Sequence, residues 1–258
     1  MNPPDQGLRD LYRIAALATL IMLVVIPAQI IVFLITPIPT SPAGWLTLMA
    51  ERPAIGLFHA DFFLMINNLL IAVIYLAFYH SLKHTNRGVL QIAIVLGLVG
   101  IAAYISSNRT FELLALAREA AVETDADARR ILLAATRAML AGWQGTAFDV
   151  YYVLNGITLV VVSALMLREP LYGRTTAVIG LLAGFFMAVP STVGTLGLVF
   201  SLLSLIPWIL FSIRYRRVWG CPVSVDTKLR GCRSGSRSPR GSDSPGWSVS
   251  VGGCRRSP

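Results

Sequence analysis

The sequence predicts an all-α membrane protein, a polytopic bundle of six transmembrane helices. Of its 258 residues, 55% are hydrophobic and only 14% are charged, whereas a soluble domain carries about 25% charged residues. The mean hydropathy is +0.66, and six apolar segments each approach the ~20 residues that a helix needs to cross ~30 Å of hydrocarbon. Helix is the default conformation there, because lipid offers the backbone no hydrogen-bond partners.

The first apolar segment resembles a signal peptide, because it follows Arg9 and Arg13. It is longer than a typical signal-peptide core, and no convincing small-residue cleavage site follows it. We therefore expect it to be retained as the first span. The six predicted spans cover approximately residues 11–35, 55–79, 89–108, 143–167, 175–191 and 193–213.

The distribution of charge predicts the orientation. With the N-terminus inside, the inner ends of the spans carry basic residues such as Arg9, Lys83 and Arg87, while acidic residues such as Glu119 and Asp127 fall outside. This arrangement follows the positive-inside rule. We therefore expect a multi-pass protein of the cell inner membrane with both termini in the cytoplasm.

The segment between spans three and four, residues 109–143, is rich in Ala, Leu, Glu and Arg, which are strong helix formers. It predicts that these two spans continue beyond the outer face as a helical hairpin that turns near Thr124–Asp127. The alternative is an amphipathic helix on the outer surface. In that case four side chains would face lipid: Ile131, Leu132, Ala135 and Met139.

The chain divides by composition into a helical domain, residues 1–220, and a tail, residues 221–258. The net charge of +9 comes mostly from the C-terminal end, where residues 214–258 hold 10 basic and 2 acidic residues. The tail is rich in Ser, Gly, Arg and Pro, so it cannot bury a core and is expected to be disordered. It fits either a segment that contacts anionic lipid or read-through or frameshifted coding sequence. A nucleic-acid partner for the whole protein does not follow from this local charge.

Two spans share a polar pattern. Asp61 is followed six residues later by Asn67, and Asp149 is followed six residues later by Asn155. Because both spans run from outside to inside, the pattern fits a parallel repeat. It also fits chance similarity between two apolar helices.

These residues predict one polar layer. A lone charge in hydrocarbon costs several kcal/mol, so such residues usually face inward and pair. Arg109 would be the counter-ion of Asp61 or Asp149, and one carboxyl would remain protonated or reach water. The predicted polar intramembrane site comprises Gln29, Asp61, Asn67, Asn68, Arg109, Glu112, Asp149 and Asn155.

Span two places Asp61, Asn68, Tyr75 and Tyr79 on one stripe at helical periodicity. The stripe predicts either a path for a solute or an interhelical hydrogen-bond staple, each bond worth about 0.6 kcal/mol. The small-xxx-small sequence "GLLAG", residues 180–184, allows close helix packing within the bundle or between two copies in a homo-oligomer. The sequence contains no serine-hydrolase, zinc-protease, nucleotide-binding or CxxC motif, so neither an enzyme nor a metal or other cofactor is predicted.

Three segments carry a resemblance to a known family. They are "LRDLYRIAALATLI", "ADFFLMINNLLIAVIYLAFYHSL" and "FDVYYVLNGITLVVVSALMLREPLYGRTTAVIGLLAG". The chain resembles an uncharacterised bacterial membrane family catalogued as domain of unknown function 4386, over roughly residues 8–219. Pro170 comes earlier than in the family pattern, and residues 109–143 are more elaborate. The resemblance implies a multi-pass helical topology and assigns no activity.

The leading functional hypothesis is a small transporter or permease-like protein. Asp61 and Asp149 would bind a proton, a cation or another small polar solute, Arg109 would be the counter-ion, and three asparagines would supply hydrogen bonds. The rival hypothesis is a non-transporting membrane scaffold or sensor whose polar layer only locks helix packing. An intramembrane enzyme ranks third. All three hypotheses share one partner, the lipid bilayer.

Overall fold

A computed structural model describes residues 3–143, 145–190 and 194–220, and within these ranges every regular element is an α-helix. The all-α prediction is confirmed. The helices are α1 (Pro3–Ile35), α2 (Pro42–Glu51), α3 (Pro53–His59), α4 (Phe62–Leu82), α5 (Arg87–Ser107), α6 (Thr110–Val122), α7 (Ala126–Trp143), α8 (Thr146–Met166), α9 (Arg174–Met187) and α10 (Gly194–Gly220). The predictions about the tail concern residues 221–258, which lie outside the described residues.

Several helices begin at residues that the sequence supplies for that purpose. The Asn86 side chain accepts a hydrogen bond from the Val89 backbone N–H at 3.2 Å and starts α5. The Ser41 hydroxyl does the same for Gly44 at 3.1 Å and starts α2. Such caps satisfy backbone N–H groups that have no partner inside the helix.

Six helices form a ring in which each packs against the next and the last returns to the first. In ring order they are α1, α4, α5, α8, α9 and α10. Pairs of contacting residues show that α5 and α8 are antiparallel, because Gly100 lies against Asn155 and Gly97 against Thr158. A polar path through the protein would run through the middle of this ring.

Glycines allow close packing of the backbones of α8 and α9. A methyl group on Gly156 would lie 2.8 Å from the Ala188 nitrogen, and one on Gly184 would lie 2.9 Å from the Val160 nitrogen. A methyl group on Gly180 would collide with Ser163. Both glycines of "GLLAG" therefore serve packing inside the bundle.

The four remaining helices, α2, α3, α6 and α7, form a cap at one end of the ring. Trp45 and Trp143 pack edge to face there, with ring centroids 5.6 Å apart. With Leu113 and Leu132 they belong to a hydrophobic cluster separate from the core of the ring. The cap therefore has its own core.

The outer wall of the ring is apolar, as expected of a surface in contact with lipid tails. In the part of the chain that the structure describes, five helical segments are long and apolar enough to cross a membrane, while α9, with 14 residues, is shorter. At 1.5 Å per residue α9 reaches about 21 Å. The sixth full span is therefore not established. Exposed apolar side chains include Leu17, Val24, Ile31, Ile92, Val95, Val99, Leu202 and Ile206.

Two predicted elements differ in detail from the structure. The apolar run 55–79 is not one helix, because the chain turns at Ala60–Asp61 between α3 and α4. Residues 109–143 form α6 and α7, which are joined through residues 123–125. The turn predicted near Thr124–Asp127 thus coincides approximately with the connection between α6 and α7.

Candidate functional site

Asp61 lies at the turn between α3 and α4, one residue before the apolar helix begins. Among the described residues, it is the only non-glycine with a positive φ, at 62°. Aspartate tolerates this left-handed conformation better than most residues. Asp61 occupies the N-cap position of α4, yet its side chain makes no capping hydrogen bond. The turn instead directs the carboxyl group toward neighbouring helices.

The turn is held from the α5–α6 junction. The carbonyl oxygen of Ala60 accepts hydrogen bonds from the Asn108 side-chain nitrogen at 3.1 Å and from the Thr110 hydroxyl at 2.5 Å. Asn108 also accepts a bond from the Thr110 backbone N–H. All three groups are buried. The sequence "SSNRT" therefore fixes the backbone beside Asp61.

The Asp61 carboxyl group is only 7% exposed. It accepts a hydrogen bond from the Gln29 side-chain nitrogen of α1 at 3.0 Å. The Tyr104 hydroxyl and the Trp143 indole N–H lie beside it, although neither reaches hydrogen-bond geometry. Within residues 3–143, 145–190 and 194–220, no lysine or arginine forms an ion pair with this carboxyl.

Burial raises the pKa of Asp61 to about 7, although the hydrogen bond from Gln29 acts in the opposite direction. Water solvates a carboxylate better than an apolar interior does, so burial favours the neutral acid. The group can therefore gain or lose a proton near neutral pH.

Arg109 and Glu112 lie at the N-terminal end of α6 and pair with each other. The Arg109 guanidinium donates to Glu112 at 3.4 Å, and both side chains are more than two-fifths exposed. The ion pair that the structure describes for Arg109 is therefore with Glu112, its neighbour three residues ahead. The sequence instead predicts a pair with Asp61 or Asp149. Asp149 is half-buried in the first turn of α8.

The two asparagines of the repeated pattern come together at a central cavity of about 110 Å³ inside the ring. Asn67 on α4 and Asn155 on α8 both line it. The Asn155 oxygen accepts from the Tyr75 hydroxyl at 2.5 Å, and its nitrogen donates to the Tyr151 carbonyl at 3.0 Å. The Asn67 oxygen, in contrast, has no hydrogen-bond partner.

Tyr151 links Asp61 to the cavity, and Asn68 lies beside this tyrosine. Asn68 is fully buried, and its amide lies beside the Tyr151 hydroxyl without reaching hydrogen-bond geometry. Tyr151 lines the cavity and is close enough to Asp61 for their charges to interact. A sequence of buried polar groups thus leads from the carboxyl group into the cavity.

Sequence reasoning missed two residues of this region, Tyr104 and Trp143, and set His59 aside, because a lone His-x-Asp pair is too little to predict a site. An aromatic side chain in an apolar span is usually a packing residue, so neither Tyr104 nor Trp143 gave a distinct signal. His59 is buried and stacks on Phe33 at a ring-centroid distance of 5.2 Å. Burial lowers the pKa of His59, so this imidazole is no cationic partner for the carboxyl at neutral pH. The described residues contain no cluster of His, Cys, Asp and Glu able to hold a metal.

Comparison with known proteins places the chain in a family. The model of a domain of unknown function, DUF4386, matches residues 11–213. The chain belongs to this family. No curated protein and no solved structure matches it.

Proposed function

We propose that this member of the DUF4386 family is a proton-linked, permease-like membrane protein in which Asp61 binds the proton. The observation that carries the proposal is the burial of the Asp61 carboxyl group without a cationic partner among the described residues. A buried carboxyl that only stabilised the fold would normally be paired or replaced by an apolar residue. A carboxyl that must exchange protons needs this environment.

The surroundings of Asp61 suit both protonation states. Gln29 already donates to it, and Tyr104 and Trp143 bring two further donors within a small movement. Those donors would hold the ionised form after the proton leaves. Release of the proton would therefore be linked to a local rearrangement at the end of α1, α5 and α7.

The central cavity supplies the place for a solute. Phe78 lines this cavity and also packs against the aromatic plug, which comprises Tyr172, Phe211, Tyr215 and Trp219. The plug lies at the end of the ring opposite the cap. Passage through the ring would require these aromatic side chains to separate, as alternating access demands.

The orientation belongs to the same proposal. The cap would lie outside the cell inner membrane, with α6 and α7 extending spans three and four beyond the outer face. Both termini would lie in the cytoplasm. The short α9 would then form a hairpin with α10 and count as the sixth membrane segment.

A matched pair of variants tests the role of Asp61. Asp61→Asn keeps the shape of the side chain and removes its proton. Asp127→Asn makes the same change at a cap residue whose side chain is 82% exposed. Each protein is reconstituted in vesicles, and proton entry driven by a pH gradient is followed with an internal dye.

We expect proton entry in the parent and in Asp127→Asn, and a rate equal to that of empty vesicles in Asp61→Asn. Folded yield in detergent should be similar for all three proteins. Equal proton entry in the parent and Asp61→Asn would refute the proposal.

A membrane scaffold or sensor is the second candidate, and the separate hydrophobic cluster of the cap favours it. A cap with its own core could present a stable surface to a partner protein. If Asp61 only locks the packing, Asp61→Asn should lower the folded yield, and the parent should show no proton entry.

A further inference from the structure

The side chains that line the central cavity indicate which class of solute it can bind, because none of those described is charged. Five of the six ring helices contribute to it, and none of its described lining residues is Asp, Glu, Lys, Arg or His. Bringing a charged molecule into such a space without a partner costs several kcal/mol. The cavity therefore selects against ionised solutes.

Most polar groups of the cavity wall already have partners. Asn155 bonds to Tyr75 and to the Tyr151 carbonyl, and the Ser204 hydroxyl donates to the Ser201 carbonyl at 2.7 Å. Two groups on the wall are exceptions, because neither the Ser201 hydroxyl nor the Asn67 carbonyl oxygen has a partner. Of the two, the Asn67 oxygen can only accept, so it requires a donor from the solute. Asn67 is only 2% exposed and lines the cavity. A buried acceptor left unpaired in this way costs about 1–3 kcal/mol.

We infer that the central cavity binds a neutral, mainly apolar molecule about the size of one aromatic ring that carries a single hydrogen-bond donor for the Asn67 oxygen. A cavity of about 150 Å³ with an apolar wall holds benzene, so about 110 Å³ suits a small ring. Tyr75, Tyr151 and Trp208 on the wall offer aromatic faces to it. The inference rests on the proposed function in that it names the class of solute.

The test compares two probes of nearly equal size. Phenol has one hydroxyl donor, whereas toluene has a methyl group in the same place. Binding to the protein in lipid nanodiscs is measured by isothermal titration. The probes also partition into lipid and release heat. This heat is measured with nanodiscs that contain the Ser204→Leu variant, whose cavity is filled, and is subtracted. Ser204 lines the cavity, and a leucine there fills space without removing a bond that another helix needs.

We expect phenol to bind roughly tenfold more tightly than toluene, because only phenol satisfies the buried acceptor. The double variant Asn67→Leu with Ser201→Ala removes both unpaired groups and nearly keeps the volume, so it should abolish this preference while both probes still bind. Leu202→Phe, on the exposed side of α10, is the matched control and should behave like the parent. Benzoate, which is charged, should show no binding.

Three results would overturn the inference. They are equal affinity for phenol and toluene in the parent, retained phenol preference in the double variant Asn67→Leu with Ser201→Ala, and absence of binding of both probes, as in a cavity that holds only water. None of these measurements involves proton movement. Failure here would leave Asp61 as a proton site. Intact phenol binding in a parent protein that shows no proton entry would instead refute the proposed function alone.

Discussion

At the scale of single residues, Asp61 departs from the ordinary role of its position. An aspartate at the start of a helix usually accepts a hydrogen bond from the first turn. Here the left-handed backbone and the clamp on Ala60 aim the carboxyl group at Gln29 instead. A strained residue held by surrounding bonds is a recurrent feature of functional sites. The charge state of this one group then sets how the protein responds to pH.

Thermal stability should depend on pH through Asp61. The pKa of the folded protein is raised from the ordinary 3.8 to about 7, so the folded state holds this proton more tightly than the unfolded chain. This contribution to stability is fully present at low pH and is lost as the pH rises through about 7. Between about pH 5 and pH 8 we expect the Tm in detergent to fall by several degrees.

Asp61→Asn should remove that slope, because asparagine does not titrate. Asp127→Asn should keep it, since Asp127 is exposed. Tryptophan fluorescence during heating measures all three proteins. Parallel pH curves for the parent and Asp61→Asn would contradict the assignment of the slope to this carboxyl.

Gln29→Leu should change the titration of Asp61 in a defined direction. The Gln29 amide stabilises the ionised carboxyl, and hydrogen bonds to charged groups are worth about 1.5–3 kcal/mol. Loss of that bond should raise the pKa of Asp61 by about one to two units. The infrared band of the neutral carboxyl group, followed against pH, measures the shift. An unchanged or lowered midpoint would show that Gln29 does not stabilise the charged form.

At the scale of helices, periodicity and apolar length predict the long elements well. The predicted spans 89–108 and 143–167 correspond to α5 and α8 within a few residues. The run 55–79 differs because hydropathy does not register a turn whose residues are themselves mostly apolar. The break at Ala60–Asp61 depends on bonds from Asn108 and Thr110, about 50 residues away, so no local pattern predicts it.

The same limitation applies to the site. Gln29, Asp61, Asn67, Asn68 and Asn155 are buried, which follows from the cost of polar groups in lipid. The partner of Arg109 could not be predicted, because α5 ends at Ser107 and Arg109 begins a new helix with Glu112 three residues ahead. Pairing within that helix satisfies the arginine locally.

The α8–α9 contact gives a prediction at this scale. Gly156→Ala places a methyl group 2.8 Å from the Ala188 nitrogen and 2.9 Å from its Cα atom. Because backbone atoms cannot move aside as a side chain would, we expect a loss of about 1–3 kcal/mol in the free energy of unfolding. Thermal denaturation in detergent should show a lower Tm.

Gly142→Ala is the matched control for that substitution. A methyl group at Gly142 in α7 meets nothing within 4 Å, and alanine is favoured over glycine inside a helix by about 0.5–1 kcal/mol. Its Tm should equal or exceed that of the parent. If Gly156→Ala were as stable as Gly142→Ala, the close approach of α8 and α9 would be wrong.

At the scale of the whole molecule, the closed ring of six helices is the feature that local sequence patterns do not predict. Its closure depends on α1 meeting α10, where Thr19 lies 3.3 Å from the Tyr215 hydroxyl and Tyr12 stacks on Trp219. These contacts join residues about 200 positions apart. They also show α1 and α10 to be antiparallel, since low numbers on one helix meet high numbers on the other.

The antiparallel pairs determine at which end of the ring α10 ends. Phe186 contacts Phe200, and Gly180 lies against Phe211, so α9 and α10 form a hairpin. A hairpin returns the chain to the end at which it started, whether or not α9 crosses the whole bilayer. The end of α10 therefore lies beside the start of α1, and the cap lies at the opposite end.

Labelling of cysteines in intact cells tests this arrangement together with the proposed orientation. All three cysteines of the chain, Cys221, Cys232 and Cys254, follow α10. A membrane-impermeant maleimide should label them only after the cells are opened. A variant with these cysteines changed to serine and Asp127→Cys in the cap should be labelled in intact cells, because Asp127 is exposed. Labelling of both proteins from the same side would contradict a structure in which the cap and the end of α10 lie at opposite faces. Exchange of the two patterns would reverse the orientation and leave the ring intact.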